Sequence, residues 1–230
     1  MDQLFQSLFN QPLGTDTATI VALDSLGVLL TGIALLLLAR RNDLGWWIQI
    51  LAVFAGPLVI ALQFGFDGLF KAVPYLLVPI YGLWRFSKYR LRGKFGRAVE
   101  VKPFTASALV WGFVITVLIA FASALPTIFS GMDLGSIPAN FWLTLFFSAL
   151  LPAGLVGVAN GLRWAWLVIA ASAVAQVIVY FGNQPAFATL AVLVLQFGAS
   201  LFGWWSWRQL PAEATQEDST EYPPSPYQEA

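Results

Sequence analysis

The stretch RRNDLGWW at residues 40–47 breaks a long apolar run with a short basic turn set directly before two tryptophans. A looser version, NGLRWAW, stands at residues 160–166. What lies on either side of such a turn decides the fold. The chain is 58% hydrophobic and only 10% charged, whereas soluble domains carry about 25% charged residues. Nearly all the charge is confined to a few short segments. Between them run almost uncharged stretches of about twenty residues, long enough to cross a hydrocarbon core of roughly 30 Å at about 1.5 Å per residue.

Seven such spans are predicted, at 20–39, 44–64, 66–86, 104–125, 139–158, 164–182 and 186–206. Barrel strands would be about ten residues long and would alternate in polarity. These spans do neither, and only helices satisfy every backbone polar group over such lengths in lipid. The expected fold is therefore an all-α integral membrane protein.

The basic residues choose a direction. Arg40 and Arg41 follow span one, and Arg85, Lys88, Arg90, Arg92, Lys94, Arg97 and Lys102 follow span three. Arg163 separates spans five and six, and Arg208 follows span seven. All four places share one side if the N-terminus is outside and the C-terminus inside, as the positive-inside rule requires. The opposite connections carry Asp67 and Asp133, with Lys71 the exception. Four residues separate Asp67 from Lys71, a spacing that suits a helical ion pair. Residues 1–19 lack a basic n-region and read as an extracytoplasmic segment, not a cleaved signal peptide. Residues 210–230 hold acids among Pro and Ser and read as a disordered cytoplasmic tail.

The two basic turns belong to a longer correspondence. In residues 20–86 the order is Gly32, the Arg40–Arg41 turn, Trp46–Trp47, then YGLWR at 81–85. In residues 139–209 it is Gly154, Arg163, Trp164 and Trp166, then FGWWSWR at 202–208. Both triplets start outside and end inside, so the expected plan is a parallel 3+1+3 repeat. A basic cytoplasmic loop at 87–103 and a linker helix at 104–125 invert the chain between them. Parallel repeats of this kind hold substrates near the midplane between halves. The tryptophans Trp46, Trp84, Trp204 and Trp207 suit an interfacial aromatic belt.

This plan, with the Arg-rich turn before Trp46–Trp47, the Trp164–Trp166 start of span six and the YGLWR and FGWWSWR endings, resembles the PnuC vitamin transporters. The resemblance implies facilitated uptake of nicotinamide riboside or a similar vitamin across a bacterial inner membrane, by alternating access without ATP hydrolysis. A separate cytoplasmic kinase would trap the substrate. Many riboside carriers place an asparagine soon after the span-six tryptophan. Here Trp166 is followed by Leu167, Val168, Ile169, Ala170 and Ala171, which keeps riboflavin open as an alternative, as is a non-transporting scaffold.

Polar side chains inside membrane helices are costly unless they face a cavity or a neighbouring helix. The expected substrate-binding set is Gln49, Gln176 and Gln196 for hydrogen bonding, with Trp47, Trp142, Trp166 and Tyr180 for stacking. Asp24 and Gln63 lie nearer the outer side. Pro57, Pro74, Pro79 and Pro152 are candidate kinks, and Gly56, Gly82, Gly154, Gly157, Gly198 and Gly203 suit close helix approach. With no His and no Cys, haem ligation, His- or Cys-based metal sites and Ser-His catalysis are excluded. No cofactor is expected, nor is an enzyme. The expected partners are a small vitamin or nucleoside and the bilayer, not nucleic acid. The sequence leaves homo-oligomerisation open.

Overall fold

The computed structural model describes residues 18–56, 58, 65–88, 91–93, 96–102, 105–129, 139–181 and 187–208. These form seven long helices: α1 (Ala18–Ala39), α2 (Leu44–Ala55), α3 (Gly65–Lys88), α4 (Ala106–Phe129), α5 (Ala139–Ala159), α6 (Ala165–Phe181) and α7 (Phe187–Ser206). The seven predicted spans correspond to these in order. Most of the N-terminal segment, Gln63, Pro57 and the acidic tail lie outside the described residues.

One expectation needs correcting. The 87–103 segment is not only loop. Leu91–Gly93 (β1) and Gly96–Ala98 (β2) pair antiparallel, with Leu91 opposite Ala98 and Gly93 opposite Gly96. A pattern read for helices cannot register a three-residue ladder set among charges.

The helices pack by small residues, as expected where apolar lipid supplies no hydrophobic drive between them. A Cβ on Gly27 of α1 would stand 3.0 Å from the Gly56 Cα beyond α2. On Gly154 of α5 it would stand 2.5 Å from Ile169 Cγ1 of α6. Gly198, by contrast, faces open space. Helix α1 packs on α2 and α7, while α5 packs on α6, α4 and α3. Exchange α1 with α5, α2 with α6 and α3 with α7, and the α1–α7 contact becomes α5–α3. Helix α4 stands outside this exchange, against α5 and α3.

The two basic turns share the same backbone hydrogen-bond pattern. In the first, Arg41 N donates to Leu38 O (2.9 Å), Asn42 N to Leu37 O (3.0 Å) and Trp46 N to Asp43 O (3.0 Å). In the second, Gly161 N donates to Val158 O (3.0 Å), Leu162 N to Gly157 O (2.9 Å) and Trp166 N to Arg163 O (3.3 Å). The left-handed residue that ends a helix this way is Arg41 (φ 58°) in one and Gly161 (φ 79°) in the other.

Hydrogen bonds gather the basic segments at one end of the bundle. Trp207 Nε1 donates to Ala39 O (3.1 Å), so α1 and α7 finish together. Tyr81 Oη donates to Asn160 Oδ1 (3.0 Å), joining the end of α3 to the second turn. Helices α1, α3, α5 and α7 therefore all end at this basic face. Burial lowers the pKa of the Arg41 guanidinium below its usual value, and nearby Glu100 opposes that shift.

The outside of the bundle is apolar. Leu51, Phe54, Leu77, Val110, Phe113, Leu118, Phe121 and Val194 are all exposed. In water so wide an apolar surface would drive association; in a bilayer it is the wetted face. By length and composition, Val21–Ala39, Ala106–Phe129 and Ala139–Ala159 are each long and apolar enough to cross a membrane.

Candidate functional site: glutamines in the helix core

Two of the predicted glutamines are buried deep between helices. Gln49 on α2 is 2% exposed, and its Nε2 donates to Thr31 Oγ1 of α1 at 3.4 Å. Its Oε1 is buried without a hydrogen-bond partner. Gln196 on α7 is 1% exposed, and its Nε2 donates to Ser172 Oγ of α6 at 3.3 Å. Ser172 in turn donates to Ile169 O (2.7 Å), and Ser200 donates to Gln196 O (2.7 Å). Both side-chain bonds are long for N–H···O contacts.

The α1–α7 contact brings the two pairs to neighbouring turns. Thr31 precedes Gly32, and a Cβ on Gly32 would stand 3.0 Å from Leu195 Cδ2 and 3.8 Å from Gln196 N. The absent side chain lets the α7 backbone close on α1 where Thr31 holds Gln49. Gln176 on α6 is only half-buried. At the register set by the turns, the residue matching Gln49 is Ile169, and Gln176 lies about two turns further along.

The tryptophans sort differently from the expectation. Trp46 is 0% exposed and not part of a surface belt. Its ring lies over Gly82 of α3, where an added Cβ would meet indole atoms at 2.5–2.6 Å. Phe86 meets it edge-on, with centroids 5.5 Å apart at 86°. Trp166 repeats the arrangement over Gly203 of α7, edge-on to Trp207 at 5.4 Å and 79°. Trp207 is buried too, which also removes it from the belt. The recurring aromatic-Gly-any-Trp ending is thus, in both halves, a glycine seat for a tryptophan of the preceding helix. Trp84 and Trp204 behave as interfacial residues: Lys88 Nζ sits 5.1 Å from the Trp84 ring, and Arg163 lies 4.8 Å from Trp204.

Of the stacking candidates, Trp47, Trp142 and Trp166 are not brought together. Trp47 points outward and is 57% exposed, because two residues along a helix turn the side chain away from the face that buries Gln49. Trp142 packs edge-on to Phe141 in a satellite cluster between α4 and α5. Trp166 has its ring against Gly203 and Trp207, although its Nε1 is buried and unpartnered. Tyr180 lies on α6, and its side chain is outside the described residues. Sequence reasoning missed Thr31 and Ser172, the hydroxyls that hold the glutamines. It also gave no role to the tie from Tyr75 Oη of α3 to Ser148 O of α5 (2.8 Å). A hydroxyl next to a helix-packing glycine, as in Thr31–Gly32, is the signal that could have shown one of them.

What the arrangement supplies is uncharged polar groups buried between helices. These amides and hydroxyls lie in surroundings where each hydrogen bond has little competition from water. Among the described residues, no three His, Cys, Asp or Glu side chains cluster as a metal site would need.

A model of the nicotinamide mononucleotide transporter family matches residues 21–209. Among solved structures, the chain is similar to the crystal structure of the vitamin B3 transporter PnuC, with a TM-score of 0.57, 14% identity and 79% of each chain covered. No curated protein matches it.

Proposed function

Since this chain belongs to the nicotinamide mononucleotide transporter family, we propose that it takes up a neutral or singly charged vitamin or nucleoside, of the nicotinamide riboside kind, by facilitated diffusion. The membrane is a bacterial inner membrane, with the basic end and the C-terminus in the cytoplasm. The two three-helix halves rock about a central site, no ATP is hydrolysed, and a separate kinase traps the product. The observation that carries this reading is the pair of buried glutamines, Gln49 and Gln196, each held by a hydroxyl on a neighbouring helix. A structural glutamine in a membrane bundle contributes only about 0.6 kcal/mol. Holding one with a buried spare acceptor suits a site that awaits a donor.

A second reading is riboflavin. The α6 face after Trp166 offers Ile169 and Ala170 to the core and no amide, which suits a flatter ring better than a carboxamide. Titration of purified protein with nicotinamide riboside, riboflavin and thiamine separates these readings, since bound flavin reports itself by quenched fluorescence. The expected result is saturable binding of one, with counterflow in proteoliposomes that a protonophore does not abolish. Binding of none of the three would defeat the proposal.

A further inference from the structure

The segment 99–102, between the β-hairpin and α4, passes between the two matched turns and touches both at the same structural position. Arg41, the left-handed residue of the first turn, donates from Nη2 to Val99 O at 3.0 Å. Gly161, the left-handed residue of the second, accepts from Lys102 N at 2.8 Å. Lys102 also forms an isolated parallel bridge with Leu162. Val99 is 3% exposed and belongs to the main core cluster, which holds residues of both halves. This contact explains why the equivalent positions differ. A Cβ at residue 161 would collide with the Glu100 carbonyl, so glycine is needed there. At residue 41 the side chain itself makes the tie.

We propose that 99–102 is a latch that fastens the two halves at the basic end, and that this end opens for solute release only when the segment lifts off Gly161 and Leu162. The geometry supports a latch over a passive linker in two ways. The segment bonds to one turn by a side chain and to the other by backbone, so it spans the seam on which rocking would open. Its polar hold on the second turn is one short stretch of ladder, the Lys102–Leu162 bridge with its bond from Lys102 N to Gly161 O, so lifting it breaks few hydrogen bonds. Only the gating half of the inference rests on the carrier reading; the fastening half does not.

The chain has no cysteine, so introduced pairs report without background. Lys102→Cys with Leu162→Cys joins bridge partners, which lie about 4.8 Å apart in a ladder, inside the range of about 4.4–6.8 Å that a disulfide tolerates. In proteoliposomes loaded for nicotinamide riboside counterflow, the reduced double variant should transport and the oxidised one should not, with dithiothreitol restoring uptake. Equal transport by both forms overturns the latch. If the unsubstituted protein carries none of nicotinamide riboside, riboflavin or thiamine, the carrier reading fails; in that case, or if the reduced variant alone is inactive, the fastening is judged by labelling. For that, Val99→Cys is treated with a maleimide in the Gly161 and the Gly161→Ala backgrounds. Labelling should speed up by at least about fivefold, the factor set by the smallest ordinary overpacking cost once a Cβ at 161 meets the Glu100 carbonyl. An unchanged labelling rate overturns the latch without any substrate.

Discussion

Replacing Gly82 by alanine tests the glycine seats directly. The new Cβ would stand 2.5 Å from Trp46 Cδ2 and Cε2 and 2.6 Å from Cε3. Ordinary carbon contacts lie at about 3.5–4.0 Å, so the ring must retreat by about 1 Å. It has nowhere easy to go, because Trp46 is fully buried and Phe86 closes its edge. Overpacking of this kind costs about 1–3 kcal/mol, while alanine for glycine within a helix gains up to about 1 kcal/mol. Gly198→Ala supplies the control, since nothing stands within 4 Å of its added Cβ. The helix gain cancels between the two variants and leaves the clash. At about 2–4 °C per kcal/mol for chains of this size, Gly82→Ala should melt about 2–12 °C below Gly198→Ala in detergent, read by tryptophan fluorescence. Trp46→Phe should rescue Gly82→Ala but not Gly203→Ala, whose seat belongs to Trp166; close pairs couple by about 0.5–3 kcal/mol. Equal melting of Gly82→Ala and Gly198→Ala would refute the seat.

Three further outcomes are expected. Arg41→Gly should be more stable than Arg41→Ala by about 1 kcal/mol, because both lose the bond to Val99 but only alanine bears the left-handed cost; a thermal melt in which alanine equals or exceeds glycine would contradict this. Gln49→Ala should weaken substrate binding about tenfold, or about 1.4 kcal/mol, whereas Trp47→Ala, on the outer face, should leave the titration unchanged; the reverse order would move the site to the lipid side. Tyr75→Phe removes one tie between α3 and α5 and should cost about 0.6 kcal/mol, a melting shift of about 1–2 °C; a much larger drop would show that this hydroxyl holds more than the Ser148 carbonyl.

The sequence by itself determined the number of helices, their order and the gathering of the basic segments. Charge is excluded from lipid, and a hydrocarbon core of fixed thickness turns charge spacing into span count. It also exposed the matched turns, since a basic hairpin before tryptophans stands out against an apolar background, and the two agree in every turn hydrogen bond compared. Only the tertiary structure decided which of Trp46 and Trp47 faces inward, that Trp166 is seated on Gly203, and that Thr31 and Ser172 hold the glutamines. The reason is physical. A helix in water shows its buried face by an apolar stripe. In lipid the outer face is as apolar as the core, so the stripe is lost and inside must be found from packing, a glycine beneath a ring or a hydroxyl within reach of an amide.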